Sequence, residues 1–409
     1  MCYSPSQQHE GGKDIVFSSF YDLITYLQKP KNRYMLKLTA LFPIHSNNRG
    51  ISGVFFSVCK EWQGPELKAR MVVPSCDREC RGPNVVEAIP SFLRKLYYRS
   101  PSLPIIKTEK RFLKDLKDFD VAYLWPGLSV DIVKNVHKHS KPIFMEAVNS
   151  DQGASKRILD DAYSRLGLEP QHTITPKSIQ DEKEKLKGVD FLFCPSPIVA
   201  KSFQEAGVPE EKLLLTTEGW SPERFPNYQS RKPPQEEVNV LFLGFACVRK
   251  GVHLLLRAWE LAGIKGKLTI FGAMEPAIAQ SCSDLLKRPD VVHFDYAVDY
   301  SSAYREADFF AFPSLEEGSA LVIYEAMGHG LPILASPMGG GGIVRDGIDG
   351  IILEPYDTDA WVEGLRKLSS SPDLRAKMGA SARQGALELT WPKVAARRKE
   401  QILQKMNMK

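Results

Sequence analysis

The sequence predicts an α/β chain folded as two doubly wound, Rossmann-like domains that face each other across a cleft. Three observations carry this expectation. At 409 residues the chain exceeds one ordinary core and suits two domains of roughly 200 residues each. Short β-branched runs alternate with longer amphipathic stretches, the pattern of parallel βαβ units. Runs such as VLFLG (240–244) and FFAFP (309–313) are apolar without alternation, as strands buried on both sheet faces must be.

In the first half the strand candidates are Met35–Phe42, Ala69–Val73, Val121–Leu124, Pro142–Val148 and Phe191–Cys194. Helical patterns run over Ser129–His139 and Gln152–Leu166, whereas Glu169–Lys185 is more polar and reads as a mobile excursion. Two adjacent prolines among charges interrupt regular structure. Residues 226–237 are therefore read as a linker between a first domain, 1–225, and a second, 238–390. The second series of strands is Val238–Leu243, Lys267–Phe271, Val291–Phe294, Phe309–Phe312, Pro332–Ala335 and Gly350–Leu353. Helices at Val252–Ala262 and Ser319–His329 separate them, and a basic helix within 391–409 is expected to pack back on the first domain.

Composition excludes several classes. A chain with 43% hydrophobic and 25% charged residues is neither disordered nor fibrous. No apolar run approaches the roughly 18 residues of a membrane span, and the polar N-terminus lacks a signal-peptide core, so a cytoplasmic location is expected. Seven scattered cysteines fit reduced thiols. Cys76 and Cys80 have no second Cys/His pair at zinc spacing. The net charge is +5, unevenly spread: Ser91–Lys117 holds eight Lys/Arg and two acids, interleaved with Phe92, Leu93, Leu96, Tyr97 and Tyr98. Two readings stand for it, a solvated helix face above its core side, or a peripheral seat on anionic lipid. No nucleic-acid module is present.

The most informative segment is FPSLEEGSALVIYEAMGHGLPILAS (312–336). A buried strand ends at Pro313, a glycine loop follows, and a helix is expected from Ser319, with the Ser319 hydroxyl as its cap. The amides around Gly318, Ser319 and Ala320 then form a seat for a diphosphate. Glu317 in the loop and Glu325 two turns on would lie on opposite sides of it, one for sugar hydroxyls and one for ribose. That separation disfavours a two-carboxylate glycosidase. A second segment, LFLGFACVRKGVHLLLRAW (241–259), places Arg249 and Lys250 in a turn after the strand ending at Gly244. Basic groups there would neutralise a diphosphate and stabilise its departure.

The 312–336 segment resembles the E-x7-E signature of the retaining family 4 glycosyltransferases (glycosyl transferases group 1, GT-B fold). Glu317 and Glu325 fall on the two motif glutamates, and Gly318 and the EAMxxGxPI text also match; Glu316 is an extra acid with no assigned role. Lys250 matches the family's phosphate-gripping lysine. Phe245 stands where the family has an arginine, which leaves Arg249 as the neighbouring candidate. The segment VVHFDYAV (291–298), with Tyr296, is similar to the strand and loop that clasp the base, and MGGGGIVRDGIDGIIL (338–353) resembles the GG…VxDGxxG stretch. The resemblance spans about Asp190–Trp391. It implies transfer of a sugar from a nucleoside-diphosphate donor, with retention, to a carbohydrate or lipid-linked acceptor in polysaccharide or glycolipid synthesis.

In the first domain, Gly50 and Gly53 of HSNNRGISGVFF would let backbone approach the donor. The family's histidine after a middle strand is missing; Glu146 and Asn149 of PIFMEAVNSDQG are the polar candidates for the acceptor or sugar side. The DFD at 118–120 looks like a metal-binding D-x-D. Asp120, however, sits at a strand start, and no metal or other cofactor is expected. Rival readings are a nucleotide-sugar epimerase or hydrolase and a non-catalytic binding protein. No G-x-G-x-x-G opens either domain, against a dehydrogenase.

Overall fold

The computed structural model describes residues 7–10, 13–16, 34–225, 228, 237–295 and 300–407. Gln7–Glu10 (β1) and Lys13–Val16 (β2) form an antiparallel pair. The first large sheet comprises Leu36–Leu41 (β3), Leu67–Val73 (β4), Val85–Glu87 (β5), Val121–Leu124 (β6), Ile143–Glu146 (β7), Phe191–Cys194 (β8) and Leu213–Leu215 (β9). It is parallel throughout, in the order β5-β4-β3-β6-β7-β8-β9. The second comprises Val238–Leu243 (β10), Gly266–Phe271 (β11), Val291–Phe294 (β12), Phe309–Phe312 (β13), Ile333–Ala335 (β14) and Gly350–Ile352 (β15). Its order is β12-β11-β10-β13-β14-β15, again parallel.

Both sheets are doubly wound about their first long strand. Chain order reverses between β3 and β6 in one and between β10 and β13 in the other, and ligands of such sheets lie beyond the strand carboxyl ends at that switch. The strands are short apolar runs because both faces are covered; every residue of β6, β7 and β13 is buried. The edge strands β5 and β9 are three residues each, too short to stand out as a periodic pattern.

Helices of eight residues or more are Gly50–Cys59 (α1), Ser102–Asp115 (α2), Gln152–Arg165 (α3), Pro176–Lys187 (α4), Pro197–Glu205 (α5), Val252–Ala262 (α6), Leu321–Gly328 (α7), Thr358–Ser370 (α8), Pro372–Leu387 (α9) and Trp391–Asn407 (α10). Two expectations are corrected. The polar segment read as a mobile excursion contains α4, whose start is secured by a capping box between Thr175 and Ser178. Ser319 does not cap α7. The N-cap is Ala320, without a side-chain bond, and the Ser319 hydroxyl lies 2.6 Å from that of Tyr324.

α10 lies on the first domain. The Trp62 indole donates to the Ala395 carbonyl at 2.8 Å, and Val394, Ala395 and Ile402 join the core around Phe55, Trp62 and Tyr123. The chain returns through Trp220, whose indole donates to the Ala386 carbonyl. A Cβ at Gly328 would come within 2.3 Å of that ring, so α7 and the crossing point are in close contact.

Candidate active site

Two loops at the carboxyl edge of the second sheet build the site. After β10 the chain turns through Gly244, at φ 140°, and a short 3-10 turn, Val248–Lys250. Gly251, at φ 69°, is irreplaceable on two grounds: the left-handed backbone, and the Pro313 carbonyl 2.1 Å from where a Cβ would sit. The loop after β13 folds over this turn, with Leu315 N–H donating to the Arg249 carbonyl at 2.8 Å. Sequence-distant cations and carboxylates thereby meet. Lys250 Nζ donates to Glu317 Oε2 at 3.0 Å, and Arg249 Nη1 lies 3.4 Å from the same oxygen. The Arg249 guanidinium also donates to the Glu316 carbonyl at 2.8 Å and lies 3.4 Å from its carboxylate.

The two adjacent acids are shifted in opposite directions. Burial pushes the Glu317 carboxyl up, but the charges of Lys250 and Arg249 outweigh it and hold the group below the ordinary glutamate range. Burial dominates at Glu316, which is raised despite Arg249. Glu325, one turn into α7, takes a hydrogen bond from the Tyr304 hydroxyl at 2.8 Å, and burial lifts its carboxyl to about 7.

The first domain closes directly on these loops. Asn149 Nδ2 donates to Glu316 Oε2 at 2.9 Å, and the Ser155 hydroxyl to Oε1 at 3.1 Å. A Cβ at Gly318 would meet the Val148 carbonyl at 1.8 Å, so only glycine admits this approach. Tyr163 of α3 donates to Glu275, which also accepts from Val248 N–H at 2.7 Å and so braces the Arg249–Lys250 turn from the first domain. Asn149, Ser155, Arg249 and Glu316 edge a cleft of about 300 Å³ that runs into the first domain past Met145 and Leu159.

Other candidate residues fall as follows. Gly50 and Gly53 open α1 rather than a free loop, and they line one narrow cavity with Arg224 and Glu325. Gly244 leaves room for the Lys250 side chain, 3.6 Å from its notional Cβ. Phe245 is half exposed. Tyr296 lies outside the described residues, as does most of the 226–237 linker. Glu146 borders the cleft, but its carboxyl turns away from Asn149. It is 1% exposed, accepts from Tyr123 and, at 2.7 Å, from Arg398 of α10. The carboxyl meets α10 because β7 alternates its side chains and puts Glu146 on the face that this helix covers. Asp120 of the DFD accepts from Lys37 N–H at 2.8 Å at the strand start, the opposite sheet edge from the site. No group of three or more potential metal ligands occurs among the described residues.

Sequence reading left Glu316 without a role and overlooked Glu275 and Tyr163. The available signal was the second acid beside Glu317; the two long-range partners carried none.

Comparison with known proteins fits this geometry. Residues 237–371 match the family described as Glycosyl transferases group 1. In this segment the chain is similar to group 1 glycosyltransferases. The chain is 31% identical over 177 residues to D-inositol 3-phosphate glycosyltransferase of Xylanimonas cellulosilytica, covering 40% of this chain and 41% of that protein. The Thermobifida fusca protein of the same name is 26% identical over 208 residues, 50% of this chain and 45% of its own length. The chain thus spans less than half the length of these relatives. Among solved structures, sucrose-phosphate synthase of Thermosynechococcus elongatus superposes with a TM-score of 0.66 at 16% identity, over 91% of this chain and 100% of that one. Anabaena HepE, solved with UDP and glucose, gives 0.64 at 12% identity, over 90% and 100%. At such identities the likeness bears on the fold, which is GT-B.

Proposed function

We propose that the chain moves a sugar from a nucleoside-diphosphate donor to a hydroxyl acceptor, with retention of configuration. The observation that carries this reading is the meeting of Lys250, Arg249 and Glu317 at the strand carboxyl edge, facing a cleft in the other domain. Lys250 and Arg249 are shared between Glu317 and the donor diphosphate, and with the amides of Gly318, Ser319 and Ala320 they stabilise charge on the departing group. Glu317 orients the sugar and Glu325 the ribose. The acceptor hydroxyl attacks from the face on which the diphosphate leaves, forming the new C–O bond as the old one breaks. Its proton passes to a departing phosphate oxygen.

Because cationic side chains supply the charge compensation, turnover is proposed to need no metal and should survive EDTA unchanged. UDP-sugars are the first donors to try, since HepE binds UDP and glucose. Carbohydrate, phosphorylated polyol and lipid-linked alcohols are the first acceptors, in the cytoplasm or at the inner face of a membrane, in polysaccharide or glycolipid synthesis. The decisive experiment is donor kinetics. Glu325→Ala should mainly raise donor KM, while Lys250→Ala should also lower kcat. Unaltered donor kinetics in both variants would sink the assignment.

A further inference from the structure

The surface of 91–117 carries an inference about how the acceptor arrives. Five of the fourteen exposed large apolar side chains among the described residues fall within fifteen positions: Phe92 (83% exposed), Leu96, Tyr98, Leu103 and Ile106. On α2 the side facing the core is Pro104, Thr108, Glu109 and Phe112. Leu103, Ile106, Lys110 and Lys114 recur at three- and four-residue spacing on the opposite side, apolar at one end and cationic at the other. The two acids of the segment are both engaged inward. Glu109 accepts from the Ser129 N–H and hydroxyl, and Asp115 pairs with Arg70 and Arg111. Lys95, Arg99, Lys110, Lys114 and Lys117 are exposed and have no carboxylate partner among the described residues.

This surface adjoins the cleft. The Tyr98 hydroxyl lies 2.7 Å from that of Ser75, just past β4, and its ring stands edge-on to His45, just past β3. The Glu109–Ser129 bonds tie α2 to the segment whose Pro126 and Gly127 form one wall of the cleft. An apolar tip ringed by unpaired cations matches an anionic bilayer, which takes apolar side chains below its headgroups and cations at their level.

We propose that Phe92, Leu96, Leu103 and Ile106, with Lys95, Lys110 and Lys114, seat the protein on an anionic lipid surface beside the mouth of the cleft. Calling that cleft the acceptor site rests on the transferase reading; the lipid contact itself does not.

The test is co-sedimentation of the full chain with phosphatidylcholine vesicles made with and without phosphatidylglycerol. Binding should require phosphatidylglycerol and weaken with salt. The triple variant Lys95→Gln, Lys110→Gln, Lys114→Gln should bind roughly a hundredfold more weakly, at about fivefold for each lost charge. Phe92→Ser with Leu96→Ser should lose on the order of tenfold. No binding, or equal binding to neutral vesicles, overturns the proposal. So does a dimer in solution that Phe92→Ser with Leu96→Ser dissociates, because the occupant would then be a second copy. Nucleoside-diphosphate binding measured alongside checks the fold of each variant. Its absence in the unaltered protein would remove the transferase reading and leave the vesicle result standing.

Discussion

In the proposed role Glu325 accepts from the ribose hydroxyls as a carboxylate, yet burial raises its carboxyl to about 7, with only partial relief from the Tyr304 hydroxyl and Arg224. Donor kcat/KM should therefore fall as pH drops through about 7, and Glu325→Gln should flatten that limb at a lower level. Stability runs the other way. A carboxyl raised in the folded state contributes stability that is complete below the unfolded value of about 4.3 and is lost as pH rises through the folded value. A donor pH profile with no acidic limb in that range would exclude this role. Beside it, Glu316 holds Arg249 and takes bonds from Asn149 and Ser155. Glu316→Ala should raise donor KM by roughly tenfold or more, since bonds to a charged group are lost on both sides. Glu316→Gln, which still accepts a hydrogen bond, should recover part of the loss.

At the scale of elements, α10 is held to the first sheet by one buried guanidinium. Arg398 bonds Glu146, the Thr216 hydroxyl and the Thr217 carbonyl, and stands 3.5 Å from Glu218. Burial raises both carboxyls, Arg398 only partly offsets the rise, and Glu146 is left at about 7. Arg398→Met leaves two buried acids without their cation and should destabilise the protein by about 3 kcal/mol or more. In urea unfolding the loss should be larger at mildly alkaline than at mildly acidic pH, where the acids take up protons instead. A basic helix at the chain end is legible from its pattern. That its arginine neutralises Glu146 is not, because the two lie 252 residues apart.

For the molecule as a whole, Gly318 brings the second domain against the Val148 carbonyl of the first, with no room there for a Cβ. Gly318→Ala should force them apart, increasing the radius of gyration in small-angle scattering and breaking the Glu316–Asn149 bond. An unchanged radius with wild-type donor binding would show the loops yielding instead. The central strand positions, the doubly wound fold and the donor loops follow from the sequence alone, because apolar runs, glycine turns and the E-x7-E spacing are local along the chain. Where a signal was weak locally it went unread. The polar helix α4 has few apolar residues and buries only Leu186, and Ser319 looks like a cap until Tyr324 claims its hydroxyl. The tertiary structure alone decided which acids face the cleft. Glu316 turns toward Asn149, 167 positions away, and Glu146 turns toward Arg398. A buried carboxylate goes where a donor or cation offsets its lost hydration, and in this chain those partners come from the other domain and the final helix.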